Sequence, residues 1–329
     1  MHFENSVQVV AFIASFAIAL ITGPLIIPML RKLKFGQTVR DDGPQSHLIK
    51  TGTPIMGGVI FMIPLIILTI FFSLRYPQIL PLTLVTIGFG AIGFMDDYIK
   101  VVKKRKDGLY ANQKMLGLII IATLFAFYLV QFTGIGTSIT IPFMNQTTLL
   151  DLKWLFIPFT VFVLIAVTNA VNLTDGVDGL AGGVTLIVMV FFTLVAMTRG
   201  EWDYVMIFSA LIAGGCLGFL AFNTHPAKVF MGDTGSLALG GAVAASAIVM
   251  KMPLIILIVG AIYVIEAISV ILQVGSFKLR GKRIFKMAPI HHHFELCGWK
   301  ETKIVTVFYG VTVLLCILGF IALRFKFTL

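Results

Sequence analysis

The stretch Asn169-Ala-Val-Asn-Leu-Thr-Asp-Gly-Val-Asp-Gly-Leu180 connects two apolar runs, 154–170 and 180–198, that are each long enough to cross a bilayer. The connection carries two carboxylates, Asp175 and Asp178, and it contains no lysine or arginine. Unpaired carboxylates at a membrane boundary are unfavourable unless something binds them. The same residue types suit a solvated turn with a helix cap, which explains one aspartate better than two. We therefore favour a connection that faces a metal ion or a donor-rich ligand.

The composition indicates an integral membrane protein. Of the 329 residues, 58% are hydrophobic and 12% are charged, which is about half the charged fraction of a soluble domain. Because a segment inside lipid must satisfy its own backbone hydrogen bonds, we expect an all-α, polytopic bundle that forms a single domain over residues 1–329. Ten apolar runs predict ten transmembrane helices, at about 7–30, 55–74, 79–95, 115–133, 154–171, 179–198, 203–222, 235–252, 254–274 and 304–323.

The lysines and arginines orient this bundle. Most of the 25 basic residues follow odd-numbered runs, so the positive-inside rule makes those connections cytoplasmic and places both termini outside. Most of the 15 acidic residues fall on the same side, as a site for a phosphorylated substrate and a divalent metal would require. Glu266 lies within a run, and it is either functional or a protonated group bonded to a neighbouring helix. The predicted cytoplasmic loops are 31–54, 96–114, 172–179, 223–235 and 275–303.

Two further acidic motifs fall at the predicted cytoplasmic face. Asp96 and Asp97 end the third run, with Lys100 one helical turn beyond Asp96, which suits a surface ion pair. Adjacent carboxylates also raise the proton affinity of one member, as a general base requires. Asp233 precedes Thr-Gly-Ser at the start of the eighth run, where it is either a helix cap or an oxygen ligand for Mg²⁺.

A run of three histidines, His291, His292 and His293, lies in a basic loop. A zinc site is the obvious alternative, but neighbouring residues of a helix point about 100° apart and do not converge on one metal. Because five basic residues precede the histidines between Lys278 and Lys286, we interpret the loop as a phosphate or diphosphate site. The longer outer connection 134–153 is expected to form short strands or a small surface helix.

Together these motifs resemble the bacterial phospho-N-acetylmuramoyl-pentapeptide transferases, within the superfamily of polyprenyl-phosphate N-acetylhexosamine-1-phosphate transferases. The match runs nearly end to end. The acidic motifs are shared with the superfamily, whereas the triple-His motif followed by Phe-Glu-Leu-x-Gly-Trp is typical of the muramoyl-pentapeptide branch. The residues that carry the resemblance are Asp96-Asp97-x-x-Lys100, Asn172-Leu-Thr-Asp175-Gly-x-Asp178-Gly, Met231-Gly-Asp233-Thr-Gly-Ser236 and Pro289-Ile-His-His-His-Phe-Glu295.

The resemblance implies an enzyme that joins undecaprenyl phosphate to UDP-MurNAc-pentapeptide, giving lipid I and UMP, with Mg²⁺ as cofactor. It implies a multi-pass protein of the bacterial plasma (inner) membrane, in contact with membrane lipid and with its active site on the cytoplasmic face. It suggests a homodimer and no nucleic-acid partner.

The resemblance also assigns roles by motif. Asp233 resembles the metal ligand, and Asp96 the group that deprotonates or orients the lipid phosphate. Phe230 would stack on uracil. The implied catalytic residues are Asp96, Asp97, Asp175, Asp233 and His291, and the implied substrate-binding residues are Lys50, Lys114, Asn172, Asp178, Asn223, Phe230, His292 and His293.

Two other classes of protein remain as alternatives. A related transferase of another UDP-sugar, such as GlcNAc-1-phosphate, would keep the aspartate motifs but usually lacks the triple-His motif. A transporter or ion channel would place its charged groups near the bilayer midplane. Here Glu266 alone is predicted there.

Overall fold

The computed structural model describes residues 6–32, 52–103, 108–144 and 149–323, and most of these residues are helical. Long helices are joined by short connections, and one small hairpin lies between the fourth and fifth helices. The elements are α1 (Val7–Lys32), α2 (Val59–Ser73), α3 (Ile79–Val102), α4 (Ala111–Phe132), β1 (Ser138–Thr140), β2 (Leu149–Asp151), α5 (Phe156–Thr174), α6 (Leu180–Ala196), α7 (Asp203–Asn223), α8 (Gly232–Val249), α9 (Ile256–Val259), α10 (Ala261–Arg280), α11 (Ile290–Leu296) and α12 (Glu301–Ala322).

The helices confirm a multi-pass membrane architecture. Within the described ranges, 8 helices are long and apolar enough to cross a membrane, and α2 and α6 are shorter apolar helices. Each of the ten predicted runs overlaps one of these helices. The number of membrane crossings and the side on which the termini lie stay predictions.

Two connections differ in detail from a continuous set of ten helices. The ninth predicted run is interrupted at Gly260, where α9 ends and α10 begins, because Gly260 has a non-helical backbone (ψ 19°). The connection 134–153 contains an antiparallel hairpin in which Ser138 pairs with Asp151, so the prediction of short strands is confirmed and the chain is not purely helical.

Several helices extend into the loops predicted from hydropathy. α3 continues to Val102 and α8 begins at Gly232, so Asp96, Asp97 and Asp233 lie on helices. Hydropathy detects the apolar part of a helix and misses polar turns at its end, where side chains can still pair with one another.

Small residues allow α8 to lie in the centre of the bundle. A side chain on Gly240 would come 2.4 Å from Cα of Thr168 on α5, and one on Gly241 would come 2.3 Å from the Phe89 ring on α3. At the start of α8, a Cβ on Gly93 of α3 would lie 2.0 Å from the carbonyl oxygen of Asp233. α3 and α8 therefore pack backbone against backbone where the conspicuous aspartates meet.

Candidate active site

Asp97 caps the start of α8 from the neighbouring helix α3. One carboxylate oxygen accepts hydrogen bonds from the Thr234 amide (2.9 Å) and the Thr234 hydroxyl (2.7 Å), and the other accepts from the Asp233 amide (3.2 Å). The first amides of a helix have no partner within the helix, so a carboxylate there is favourable. Asp97 is buried, and its contacts hold Asp233 in place.

Asp233 is the point on which side chains from three other helices converge. Its Oδ2 accepts from the Lys114 Nζ of α4 at 2.7 Å and from the Lys100 Nζ of α3 at 3.1 Å. Its Oδ1 accepts from the Asn172 amide of α5 at 2.9 Å, and the same amide donates to the Ser236 hydroxyl at 2.8 Å. Two ammonium groups therefore neutralise a carboxylate that local sequence would assign to a simple cap.

Asp96 shares this arrangement. Its Oδ2 lies 2.5 Å from the Lys100 Nζ and 3.9 Å from the Lys114 Nζ, and its Oδ1 accepts from the Leu109 amide at 2.7 Å. We call Asp96, Asp97, Asp233, Lys100, Lys114 and Asn172 the carboxylate cluster. The cluster brings three carboxylates and two ammonium groups together within hydrogen-bonding or ion-pair distance.

The cluster can hold a divalent cation by its donor type and spacing. Oxygen atoms of Asp96, Asp97 and Asp233 lie within 4.8 Å of one another. Carboxylate oxygens are the ligands that Mg²⁺ prefers. The ammonium groups of Lys100 and Lys114 already contact Asp233. A divalent cation bound here would therefore share this carboxylate with them.

Asp175 lies next to the cluster, at the end of α5. Burial raises the pKa of Asp175 well above its usual value, and the nearby charges of Asp233, Asp97 and Asp178 raise it further. Near neutral pH this carboxyl therefore holds a proton more readily than an exposed aspartate.

A second group surrounds the turn 175–179. Asn223 accepts from the Gly179 amide at 3.0 Å and donates to the Val229 carbonyl at 2.9 Å. Asp178 accepts from the Ala227 amide at 3.0 Å and lies 3.2 Å from the His225 ring. Phe230 follows on the same segment, and its side chain is half-buried. Its amide donates a hydrogen bond to the Pro54 carbonyl, and its carbonyl accepts one from the Gly57 amide. We call Asp178, Asn223 and Phe230 the turn group.

The three histidines have separate partners. The His291 Nδ1 lies 3.0 Å from Glu266 of α10, and the His292 Nδ1 lies 2.6 Å from Glu295. The His293 Nδ1 accepts from the Lys286 amide at 3.2 Å. Because these rings contact three different partners, they do not converge on one shared zinc ion.

Known proteins of one family match this chain in sequence. Residues 79–251, from the start of α3 to just beyond α8, match the family described as Glycosyl transferase family 4. A phospho-N-acetylmuramoyl-pentapeptide-transferase from Acetivibrio thermocellus is 67% identical over 328 residues, covering 99% of this chain and 98% of that protein. The chain belongs to the phospho-N-acetylmuramoyl-pentapeptide transferases.

Transferases of the same name extend the match. One from Clostridium novyi is 52% identical and covers 97% of this chain and 97% of its own length. One from Clostridium perfringens is 52% identical, with 96% of this chain and 98% of that protein covered. The family expected from the motifs is confirmed, and a transferase of another UDP-sugar is not favoured.

The fold of this transferase brings most of the predicted residues into the two groups. Asp175 bridges them, and His291 reaches the same turn through Gly176, since a Cβ on Gly176 would lie 2.2 Å from the His291 Nε2. His292 and His293 bond within their own segment. Lys50 lies outside the described residues.

Sequence reasoning did not place Lys100, Ser236 or Glu266 in the site. The spacing of four residues predicted only that Lys100 pairs with Asp96. The position of Ser236 one helical turn after Asp233 could have indicated that both side chains face the same site. The partner of Glu266 had no local signal, because it lies 25 residues away on another helix.

Proposed function

We propose that this transferase moves phospho-MurNAc-pentapeptide from UDP-MurNAc-pentapeptide to undecaprenyl phosphate, giving lipid I and UMP, the first membrane step of peptidoglycan synthesis. Family membership supports the reaction. The observation that carries it in the structure is the convergence of Lys100 and Lys114 on Asp233, beside Asp96 and Asp97. A reaction between two anionic phosphates needs this balance of charges.

In the net reaction, an oxygen of the lipid phosphate forms a bond to the phosphorus that carries MurNAc. The bond from that phosphorus to the bridging oxygen breaks, and UMP leaves with that oxygen. Bringing the phosphates together is opposed by Coulomb repulsion, which falls when cations lie between them. Lys100 and Lys114 supply two such charges, near the end of α3 and at the start of α4.

In this proposal the adjacent residues Asp96 and Asp97 have different roles. Asp97 is a positioning residue, because its contacts hold the first turn of α8. Asp96 orients the lipid phosphate and accepts its proton, and Lys100 at 2.5 Å steadies the carboxylate. Asp175, with its raised pKa, lines the diphosphate end together with Asn172.

Mg²⁺ is the proposed cofactor, with Asp233 as its ligand and the oxygens of Asp96 and Asp97 close by. When bound, it would neutralise phosphate charge and the leaving UMP. The fit rests on three carboxylates within 4.8 Å, a donor set suited to a hard cation.

The turn group is the proposed site for uridine. Phe230 would stack on uracil, while Asp178 and Asn223 hold the turn 175–179 against the segment 227–229 through their bonds to Ala227, Gly179 and Val229. His291 is proposed to act at the sugar-phosphate end, with His292, His293 and Lys50 as further substrate contacts.

The proposed setting is the bacterial cytoplasmic membrane, with ten crossings, both termini outside and the site on the cytoplasmic face. Charge asymmetry supports it, since most of the 25 basic residues follow odd-numbered runs. The chain would act as a single domain with the segments 31–54, 96–114, 172–179, 223–235 and 275–303 on the cytoplasmic side, and as a homodimer. A reporter fused after Leu329 should read as extracytoplasmic and one within 281–289 as cytoplasmic; the reverse pattern would contradict the proposed orientation.

The test of the reaction uses purified protein with undecaprenyl phosphate and either UDP-MurNAc-pentapeptide or UDP-GlcNAc. We expect UMP release and lipid I with the first nucleotide, and loss of both when Mg²⁺ is chelated. Equal or faster release from UDP-GlcNAc would overturn the substrate assignment. Full turnover in excess chelator would overturn the metal assignment alone.

A further inference from the structure

The side chains of Glu266 and His291 are in hydrogen-bond contact in the interior of the protein. Glu266 lies on α10 and His291 in the first turn of α11, and both side chains have 0% exposure. The His291 Nδ1 and the Glu266 Oε2 are 3.0 Å apart. An acid in an otherwise apolar helix is unfavourable unless it is paired, so this contact explains how Glu266 is tolerated.

Each partner retains a buried polar atom without a hydrogen bond. Among the described residues, the His291 Nε2 and the Glu266 Oε1 have none. Buried polar groups are nearly always satisfied, so an unpaired ring nitrogen indicates a partner that comes from elsewhere.

The unpaired nitrogen lies against the turn 175–179. A Cβ on Gly176 would come 2.2 Å from the His291 Nε2 and 2.7 Å from its Cε1, so only a glycine leaves room for the ring. Gly176 lies between Asp175 of the diphosphate end and Asp178 of the turn group. With Nδ1 held by Glu266, Nε2 is the ring atom that faces this turn.

We propose that Glu266 is a positioning residue for the transfer reaction. Its carboxylate accepts the Nδ1–H of His291 and fixes the ring so that Nε2 faces the turn 175–179, where a substrate phosphate oxygen becomes the partner that Nε2 lacks. A carboxylate behind a histidine sets the tautomer and supports a proton on the far nitrogen, as in other acid–histidine pairs. The inference rests on the proposed function, in which His291 acts at the sugar-phosphate end.

The same geometry predicts a kinetic coupling between the two residues. Glu266→Ala should lower kcat for UMP release on the order of 10- to 100-fold, the range for residues that orient a ligand through a histidine. The KM for the nucleotide should change far less, because the turn group is untouched. In the His291→Ala background, Glu266→Ala should have almost no further effect, since residues that act as a unit are not additive.

Glu266→Gln and Ser269→Ala are the matched variants. Glutamine keeps an oxygen that can accept the Nδ1–H, so Glu266→Gln should recover part of the lost kcat. Ser269 lies one turn along α10 and donates to the Glu266 backbone carbonyl at 2.7 Å, so Ser269→Ala perturbs the helix without removing the carboxylate. We expect Ser269→Ala to keep near-normal kcat.

A second measurement needs no turnover. With ¹⁵N-labelled histidine, the His291 signal is identified by its loss in His291→Ala. It should show a protonated, hydrogen-bonded Nδ1 in the wild type, Glu266→Gln and Ser269→Ala, and should change in Glu266→Ala. If Glu266→Ala does not fold, Glu266→Gln tests the inference by itself. We then expect Glu266→Gln to have a reduced kcat and the same His291 tautomer as the wild type.

The outcomes separate this inference from the proposed function. If the wild type releases no UMP from UDP-MurNAc-pentapeptide, the proposed reaction fails, and the tautomer measurement still tests the pair. If the wild type is active, additive losses in the double variant overturn the inference. An unprotonated Nδ1 in the wild type, or Ser269→Ala with the same loss as Glu266→Ala, overturns it as well.

Discussion

The carboxylate cluster and the turn group lie next to each other and are built on opposite principles. In the cluster, charged groups from α3, α4 and α8 face one another, and ammoniums lie 2.5–3.1 Å from carboxylates. In the turn group, Asn223 and Asp178 bond mainly to backbone amides and carbonyls, and Phe230 contributes a ring. The carboxylate cluster is therefore held together by charged side chains, and the turn group by hydrogen bonds to the backbone.

The difference indicates which step of the reaction each region serves. Charge placed where phosphates react acts most strongly as charge moves in the transition state, and it lowers the barrier. Stacking and backbone-supported shape act on the bound nucleotide before and during reaction, so they change binding more than rate. The following substitutions test this separation.

Asp233→Asn should have the largest effect. It removes one charge at nearly constant shape, and it leaves Lys100 and Lys114 without their shared partner. We expect turnover to fall on the order of 10²- to 10³-fold, the range for losing a key electrostatic group, while the protein still folds. UMP release at limiting and saturating Mg²⁺ measures the loss.

Asp151→Asn is the control for this substitution, since Asp151 lies exposed on the β1–β2 hairpin. It should leave turnover unchanged. Near-normal turnover of Asp233→Asn at limiting Mg²⁺ would show that the cluster does not depend on charge at this position.

Asp97→Ala should separate positioning from chemistry within the cluster. It leaves the Thr234 amide and hydroxyl, both buried, without their acceptor. We expect a loss of stability of about 1–3 kcal/mol, measured by unfolding in detergent, together with reduced turnover. Asp97→Ala with full stability and reduced turnover would make Asp97 a direct participant instead.

Phe230→Ala and Asp96→Asn should show opposite kinetic effects. Loss of stacking should raise the KM for the nucleotide sugar by a factor corresponding to about 1–3 kcal/mol, by analogy with bases on aromatic rings. Asp96→Asn should chiefly lower kcat, because a base acts in the transition state. Exchanged phenotypes in steady-state kinetics would refute the separation of the two regions.

The effect of Asp175→Asn on stability should be the smallest of these effects, because it is confined to the pH dependence that one carboxyl group contributes. Its pKa is raised in the folded protein, so the folded state holds the proton more tightly than the unfolded chain. Stability should therefore fall as pH rises from its ordinary pKa through the raised value. The neutral amide should remove that part of the pH dependence, as measured by Tm between pH 4 and 8 in chelator. An unchanged pH profile would contradict the burial of this carboxyl.

Much of the fold and part of the site could be predicted from local patterns. The length of an apolar run indicates whether a helix can cross a bilayer, and each of the ten runs overlaps such a helix or a shorter one. The aspartates and histidines were found because charge is conspicuous in a chain that is 58% hydrophobic. The interruption at Gly260 was not predicted, because hydropathy does not detect a single residue with a non-helical backbone.

The sequence by itself determined the helical framework, the family and the residue types of the site, since composition and motif are properties of neighbouring residues. The tertiary structure decided which residues act on which. Asp97 accepts a hydrogen bond from the amide of Asp233, 136 residues later, at the start of α8. Lys100 and Lys114 share one oxygen of Asp233, and Glu266 holds His291 across 25 residues. These partners are set by the packing of α3 on α8 and of α10 on α11. The periodicity of hydrophobic residues along the chain does not indicate which helices pack together.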